Sequence, residues 1–260
     1  MKKLKPDLGI LYLVLAYVFI FLPVVVLVMF SFTSRDLPLP PFEGPSLKWY
    51  ARILSDQRML QAMVNSILLA GISSLVATFL GFLGAYGVAR HKTRWDGLIR
   101  YAMMAPITVS YLIIGMGLLV SFHALGLPKS LWVVGIGHVV LNLPICFAII
   151  LAGMGDHQRN IEQAAHDLGA SDLQALLFVT LPVMRPSLFA AFCLSFTFSW
   201  DEFIIAFLLT RFEVTLPVLL FEMLRAGSNP LLNAAGSLVF LISICLVLAA
   251  VVLTMRQRRG

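Results

Sequence analysis

The most constraining feature of this 260-residue chain is the spacing of its charged residues, which leaves five long uncharged runs. Each run exceeds the roughly 20 apolar residues that an α-helix needs to cross a bilayer. The five runs are residues 8–34, 59–89, 101–128, 130–155 and 226–255. A sixth apolar stretch, residues 186–210, is interrupted only by Asp201 and Glu202. We therefore expect an all-α membrane protein with six transmembrane helices, formed as a single transmembrane domain over residues 1–260.

The composition excludes an ordinary soluble domain, because 60% of the residues are hydrophobic and only 12% are charged, against about 25% charged in soluble proteins. In such a chain the net charge of +6 indicates membrane orientation rather than nucleic-acid binding. Six helices place both termini on one side, and the basic tails predict that this side is cytoplasmic. The tail residues are Lys2, Lys3, Lys5, Arg256, Arg258 and Arg259. The first run is too long for the hydrophobic core of a signal peptide, so we expect residues 9–32 to be a retained helix.

Prolines fall inside two of the expected helices. We expect helices near residues 63–88, 101–122 and 131–153, of which the second carries Pro106 and the third carries Pro144. Such prolines either kink a helix beside a cavity or are accommodated by packing against neighbouring helices. The sequence leaves both possibilities open.

A short helix is expected to begin at Ser46, in the loop after the first run, because apolar residues follow it at helical spacing. Trp49 and Tyr50 suit the headgroup level of a membrane. The helix lies either at the membrane interface or on the outer surface of the protein itself.

The chain lacks the residue patterns of an enzyme or of a metal site. No lysine follows a glycine, which excludes the usual phosphate-binding loop of ATPases, and the five histidines form no closely spaced ligand pair. His138 is the intramembrane histidine of interest, either packed and hydrogen-bonded or in contact with a ligand. We therefore expect no cofactor and no metal in this chain. An ion-driven secondary transporter is the rival function, but the inverted repeats and ion site that it needs are not found in the sequence.

The predicted inner loop, residues 154–185, is long for a simple connection. Asn160 is placed to cap a short helix that Gly169 would end in a left-handed conformation. Ala164 and Ala165 give this helix a face of low relief. Such a helix suits the groove of another protein, although a plain surface helix is also compatible with these residues.

The same loop resembles the signature loop of ATP-binding-cassette (ABC) importer permeases. The resemblance rests on Gln163-Ala164-Ala165, on Gly169 six residues after Gln163, and on the run from Val179 through Thr180 to Leu181 and Pro182. Gln163 stands where the family has glutamate, with Glu162 beside it as the replacement acid. In the family this loop is the coupling helix that docks on the cytoplasmic ATPase subunit. The resemblance assigns coupling to Glu162, Gln163, Ala164, Ala165, Gly169, Leu181 and Pro182.

Further stretches are similar to the spermidine/putrescine branch of these permeases, and to the second permease of that branch. They are residues 46–50, residues 199–203 and residues 215–217. The resemblance implies a type I permease fold in the bacterial inner membrane, surrounded by membrane lipid. It also implies a heterodimer with a second permease, two ATPase subunits that carry the ATP and Mg²⁺, and a periplasmic solute-binding protein. Members of the branch also import opines and aminoalkyl phosphonates, so these solutes, and amino acids, are alternatives to polyamines.

The acidic pair Asp201 and Glu202 is expected inside the fifth helix. Asp201 lies about 15 residues, or roughly 22 Å, beyond Pro186, which places it in the outer half of a ~30 Å hydrocarbon core. Carboxylates at such depth usually face a water-filled path or a partner. We expect the solute path to be lined by Ser195, Ser199, Trp200, Asp201 and Glu202. The alternatives are a salt bridge to the partner permease, or an interfacial acidic pair beside a tryptophan that only packs.

Overall fold

Helices make up most of the chain, as the long apolar runs predict. The computed structural model of the protein describes residues 6–36, 44–90, 94–227 and 230–257. Within these ranges the helices are α1 Pro6–Ser31, α2 Lys48–Ser55, α3 Gln57–Arg90, α4 Asp96–Met104, α5 Tyr111–Ala124, α6 Leu131–Gly153, α7 Asp156–Asp167, α8 Asp172–Ala175, α9 Leu181–Trp200, α10 Ile204–Leu209, α11 Leu216–Ala226 and α12 Pro230–Gln257. The extended pairing in the same ranges is one isolated bridge between Thr33 and Pro45. The expectation of an all-α protein is confirmed.

Four helical segments are long and apolar enough to cross a bilayer: Gly9–Ser31, Gln57–Arg90, Leu131–Gly153 and Asp172–Trp200. The third of them matches the predicted span over residues 131–153. In the first segment, no residue of the most apolar stretch is buried within the chain. This is expected for a helix that is apolar on all sides and therefore suited to contact with lipid or with another subunit.

The predicted third helix is not continuous, which corrects the expectation for residues 101–122. The chain forms α4, then a 3-10 turn over Ala105–Thr108, and then α5. The direction of α5 differs by 104° from that of the segment Asp96–Thr108. Pro106 lacks the backbone N–H that would continue α4, and Val109 has extended backbone angles. The proline therefore redirects the chain instead of kinking one helix.

The number of spans is four among the described residues, or five if the bent pair counts as one span. The last helix contributes a shorter apolar stretch, Pro230–Cys245. A sixth span and the cytoplasmic location of both termini stay predictions, and the basic residues of both tails lie outside the described side chains.

Tertiary contacts group the chain into two units, residues 1–60 with 219–242, and residues 61–218 with 243–260. In the first unit, α2 buries Trp49 and Ile53. The Trp49 indole donates a hydrogen bond to the Thr33 carbonyl at 2.8 Å. The short helix is therefore packed on the protein, and a location at the membrane interface stays a prediction.

The second unit contains the long helices α3, α6 and α9, which pack through small side chains. Ala77 and Ala85 on α3 are fully buried in one apolar cluster with Cys146 and Phe147 of α6. A β-carbon added to Gly81 would lie 2.9 Å from the Cys146 Cβ and 2.9 Å from the Phe147 backbone nitrogen. Glycine is therefore required where the two backbones approach this closely.

Candidate functional site

The candidate coupling helix α7 is framed by two glycines. It begins at Asp156 after Gly155, whose extended backbone precedes the first turn, so the expectation that Asn160 caps the helix is wrong. An aspartate in the first turn is stabilised by the positive end of the helix dipole, which favours this earlier start.

The end of α7 is as predicted. Gly169 has a φ of +91°, a left-handed conformation that a β-carbon disfavours. Its N–H donates to the His166 carbonyl at 2.8 Å, and the Ala170 N–H donates to the Ala165 carbonyl at 3.0 Å. These two bonds form a Schellman motif. The chain then enters α8 through a capping box between Ser171 and Gln174.

The signature residues differ in exposure. Gln163, Ala164 and Gly169 are exposed, whereas Ala165 is half-buried. Next to them Leu168 has 90% of its surface exposed. We call Gln163, Ala164, Leu168 and Gly169 the α7 surface. The sequence did not single out Leu168, an apolar side chain whose exposure makes it the prominent part of this surface.

The remaining signature residues lie where α9 begins. Leu181 and Pro182 are half-buried in its first turn. A short π-helical segment, Leu176–Thr180, joins α8 to α9. The second half of the predicted loop is thus helical and continuous with the span that ends at Trp200.

Glu162 does not belong to the α7 surface, because its side chain is buried. Its carboxylate accepts hydrogen bonds from Arg90 Nε and, at 3.0 Å, from Arg90 Nη2. The Thr180 hydroxyl donates to Glu162 Oε1 at 2.8 Å. The sequence-based role of Glu162 as an acid turned toward a partner therefore does not fit its observed contacts. Arg90 and Thr180 were missed, although Arg90 closes an apolar run and Thr180 lies within the signature.

The acidic pair lies in a break between two helices and not inside one, which corrects the expectation for the fifth helix. α9 ends at Trp200 and α10 begins at Ile204. The Glu202 carboxylate accepts hydrogen bonds from the Ile205 N–H at 2.9 and 3.0 Å and from the Ala206 N–H at 3.2 Å. A carboxylate that satisfies the free N–H groups of a new helix stabilises a new start. This capping accounts for the break.

A buried polar network stands behind the break. The Ser199 hydroxyl lies 2.6 Å from His138 Nδ1 and 2.9 Å from the Ser73 hydroxyl. His138 Nε2 lies 3.4 Å from Glu202 Oε2. His138 is fully buried, so it is the packed, hydrogen-bonded histidine of the two alternatives. The network connects α3, α6 and α9.

The five predicted path residues lie close together but differ in their exposure. Ser195, Ser199, Trp200 and Glu202 are buried within the chain, whereas Asp201 is exposed. In the described part of the chain no group of three or more histidine, cysteine or acidic side chains is arranged to hold a metal ion. The site therefore offers one accessible carboxylate on a buried polar support.

Comparison with known proteins identifies the family of this chain. Residues 77–259 match the family described as "Binding-protein-dependent transport system inner membrane component". The chain is 33% identical to the putrescine transport system permease protein PotI of Escherichia coli K12, covering 88% of this chain and 84% of that protein. It is 28% identical to the spermidine/putrescine transport system permease protein PotC of the same strain, covering 94% and 92%.

A solved structure shows the same fold. The crystal structure of a bacterial alginate ABC transporter, in complex with an alginate pentasaccharide-bound periplasmic protein, contains a chain that superimposes with a TM-score of 0.70 at 16% identity. The superposition covers 94% of this chain and 93% of that chain. The chain therefore belongs to the family of binding-protein-dependent transport system inner membrane components, as a multi-pass inner-membrane permease subunit of an ABC importer and not an enzyme.

Proposed function

We propose that this permease imports small polyamines such as putrescine and spermidine, released to it by a periplasmic binding protein. The similarity to PotI and PotC supports this solute class. The alginate transporter shares the fold but handles an acidic polysaccharide, so the fold by itself does not define the charge of the solute. The choice of a cationic solute rests on the site.

The observation that carries the proposal is the exposed carboxylate of Asp201 at the break between α9 and α10. A carboxylate at membrane depth raises the free energy of the protein unless it contacts water, a cation or a partner. We assign Asp201 to direct contact with the ammonium group of the solute. Trp200 is 1% exposed, so we assign it to packing, and Ser195, Ser199 and Glu202 to the buried support that holds Asp201 in place.

The α7 surface is proposed to dock on an ATPase subunit. It combines small side chains with the protruding Leu168, a shape that suits a groove with an apolar pocket. The assembly would contain a second, different permease subunit, two ATPase subunits that bind ATP and Mg²⁺, and the binding protein. The solved alginate complex with its periplasmic protein supports the last of these partners.

The proposal is tested by uptake of labelled putrescine into proteoliposomes that contain the whole complex with ATP on the ATPase side. Asp201→Asn keeps the size and some hydrogen bonding but removes the charge. Hydrogen bonds to charged groups contribute about 1.5–3 kcal/mol, so we expect uptake at low putrescine concentration to fall about tenfold or more. ATPase association should not change.

Asp36→Asn is the matched control. Asp36 is also exposed, and it pairs with Lys48 at 2.8 Å in the first unit of the chain. This variant should import putrescine at the parental rate. If Asp201→Asn does the same, or if the parental complex imports only anionic or neutral solutes such as opines, phosphonates or amino acids, the polyamine proposal fails.

A further inference from the structure

The coupling helix α7 is attached to the rest of the chain in an unusual way. Within Asp156–Asp167 the buried residue is Glu162, an acid, whereas the apolar residues Ile161 and Ala165 are only half-buried. A surface helix normally buries an apolar stripe. The most deeply buried attachment of α7 is therefore a carboxylate and its partners.

Those partners come from two other elements. Arg90 is the last residue of α3, and Thr180 is the last residue of the π-helical segment that leads into α9. Arg90 and Glu162 have side-chain exposures of 11% and 7%, and Thr180 is 2% exposed. One carboxylate thus joins α7 to the end of the α3 span and to the early part of the span Asp172–Trp200.

The geometry makes this junction stiff. Two arginine nitrogens donate to the two carboxylate oxygens, a bidentate arrangement that fixes orientation as well as distance. The Thr180 hydroxyl adds a third donor. Separating such a buried pair leaves an uncompensated charge out of water, so the three residues are expected to move together when α7 moves.

Thr180 lies at a place where the α9 span is locally altered. A π-helical segment is a local insertion in an α-helix and is frequent at functional sites. The Thr180 hydroxyl also lies 3.3 Å from the Ala175 carbonyl, five residues earlier. A hydroxyl has one hydrogen, so the shorter contact of 2.8 Å to Glu162 takes it and the Ala175 carbonyl is a close neighbour of the same group.

We propose that Arg90, Glu162 and Thr180 are positioning residues that transmit displacement of α7 to α3 and α9 during the transport cycle. Glu162 connects α7 to α3 and α9 of this chain, whereas the α7 surface contacts the ATPase. The proposal rests on the proposed docking of α7. It predicts variants that keep the ATPase bound but import less solute per ATP hydrolysed.

The mildest test uses Thr180→Val, which keeps the shape of the side chain and removes the donor, with Thr180→Ser as the matched control. Complexes with the partner subunits are reconstituted, and the ATPase retained, the ATP hydrolysed and the putrescine imported are each measured. Thr180→Val should lower putrescine imported per ATP at least threefold with normal ATPase retention, and Thr180→Ser should keep the parental ratio. A parental ratio in Thr180→Val overturns the proposal.

The ion pair is tested by Glu162→Gln, Arg90→Gln and the exchanged pair Arg90→Glu with Glu162→Arg. Each single variant should lower the ratio at least tenfold, and the exchange should recover part of it, because the pair is restored in reverse. If Glu162→Gln loses the ATPase subunits, Glu162 is a docking residue and the linkage is refuted. If the exchange recovers nothing, the pairing is likewise refuted.

Ala164→Trp separates this inference from the docking proposal, because Ala164 is exposed on the α7 surface. Bulk at Ala164 should remove the ATPase from the complex, whereas the linkage variants should not. If Ala164→Trp keeps both ATPase and import, the docking proposal fails. If it loses the ATPase while all linkage variants keep the parental ratio, docking stands and only the linkage fails.

Discussion

Replacing Glu202 should destabilise the region around α10 much more than replacing its neighbour Asp201. The Glu202 carboxylate accepts the N–H groups of Ile205 and Ala206, and both of these residues are fully buried. Glu202→Ala leaves two buried donors without an acceptor, at about 1–3 kcal/mol each. We therefore expect Glu202→Ala to lower the free energy of unfolding by about 2–6 kcal/mol. The lost charge at the start of α10 is not added to this figure, because it acts through the same hydrogen bonds.

Glu202→Gln retains one carbonyl acceptor and should cost about 1.5–3 kcal/mol, the loss of one charge-assisted bond. Asp201→Asn changes an exposed side chain and should be nearly neutral. The consequence reaches beyond α10, because Ile205, Ala206 and Leu209 are part of one apolar cluster with α3 and α6 residues. Loss of the cap should therefore loosen that cluster.

The assay is thermal unfolding in detergent, followed by reaction of a fluorogenic maleimide with the buried thiols of Cys146 and Cys193. Cys245 is exposed and is replaced by alanine in every variant. At about 2–4 °C per kcal/mol for a chain of this size, Glu202→Ala should lower the apparent Tm by about 4–24 °C, and Asp201→Asn by less than about 2 °C. Equal shifts for both variants would refute the capping role of Glu202.

Three further predictions concern the coupling helix, the helix contacts and the energy source. Gly169→Val should lose ATPase association while the helices still insert, because valine does not tolerate a φ of +91°; co-purification with the ATPase measures this, and full retention would count against docking. Gly81→Ala should destabilise the protein by about 1–3 kcal/mol through overpacking. Gly87→Ala should not, because nothing lies within 4 Å of the added carbon. Thermal unfolding compares the two variants, and equal stabilities would contradict the close approach of α3 and α6. The purified chain without partners should hydrolyse no ATP in a phosphate-release assay, and hydrolysis that survives removal of contaminating ATPases would contradict the assignment of ATP to another chain.

The sequence predicted those parts of the fold that depend on the composition of one continuous segment or on one residue type. Uncharged runs located the spans, and the α6 span matched to the residue because Lys129 and Asp156 bound it closely. The left-handed end of α7 followed from Gly169. Such features are local, so a sequence pattern is enough to specify them.

The errors arose where a carboxylate has partners that the sequence pattern does not indicate. The fifth helix was expected to run through Glu202 because its flanks are apolar, but the carboxylate caps α10. Glu162 was assigned to coupling as the acid beside Gln163, but its carboxylate pairs with Arg90, which is 72 residues away in sequence. Pairings of this kind depend on tertiary contacts, which spacing along one chain does not encode.

The most direct test of the account is uptake of labelled putrescine into proteoliposomes assembled with each component omitted in turn. Uptake should require this chain, the second permease, the ATPase subunits with ATP, and the putrescine-loaded binding protein, and it should be insensitive to ionophores that dissipate ion gradients. Putrescine uptake by this chain without the ATPase subunits, driven by an ion gradient, would contradict the account.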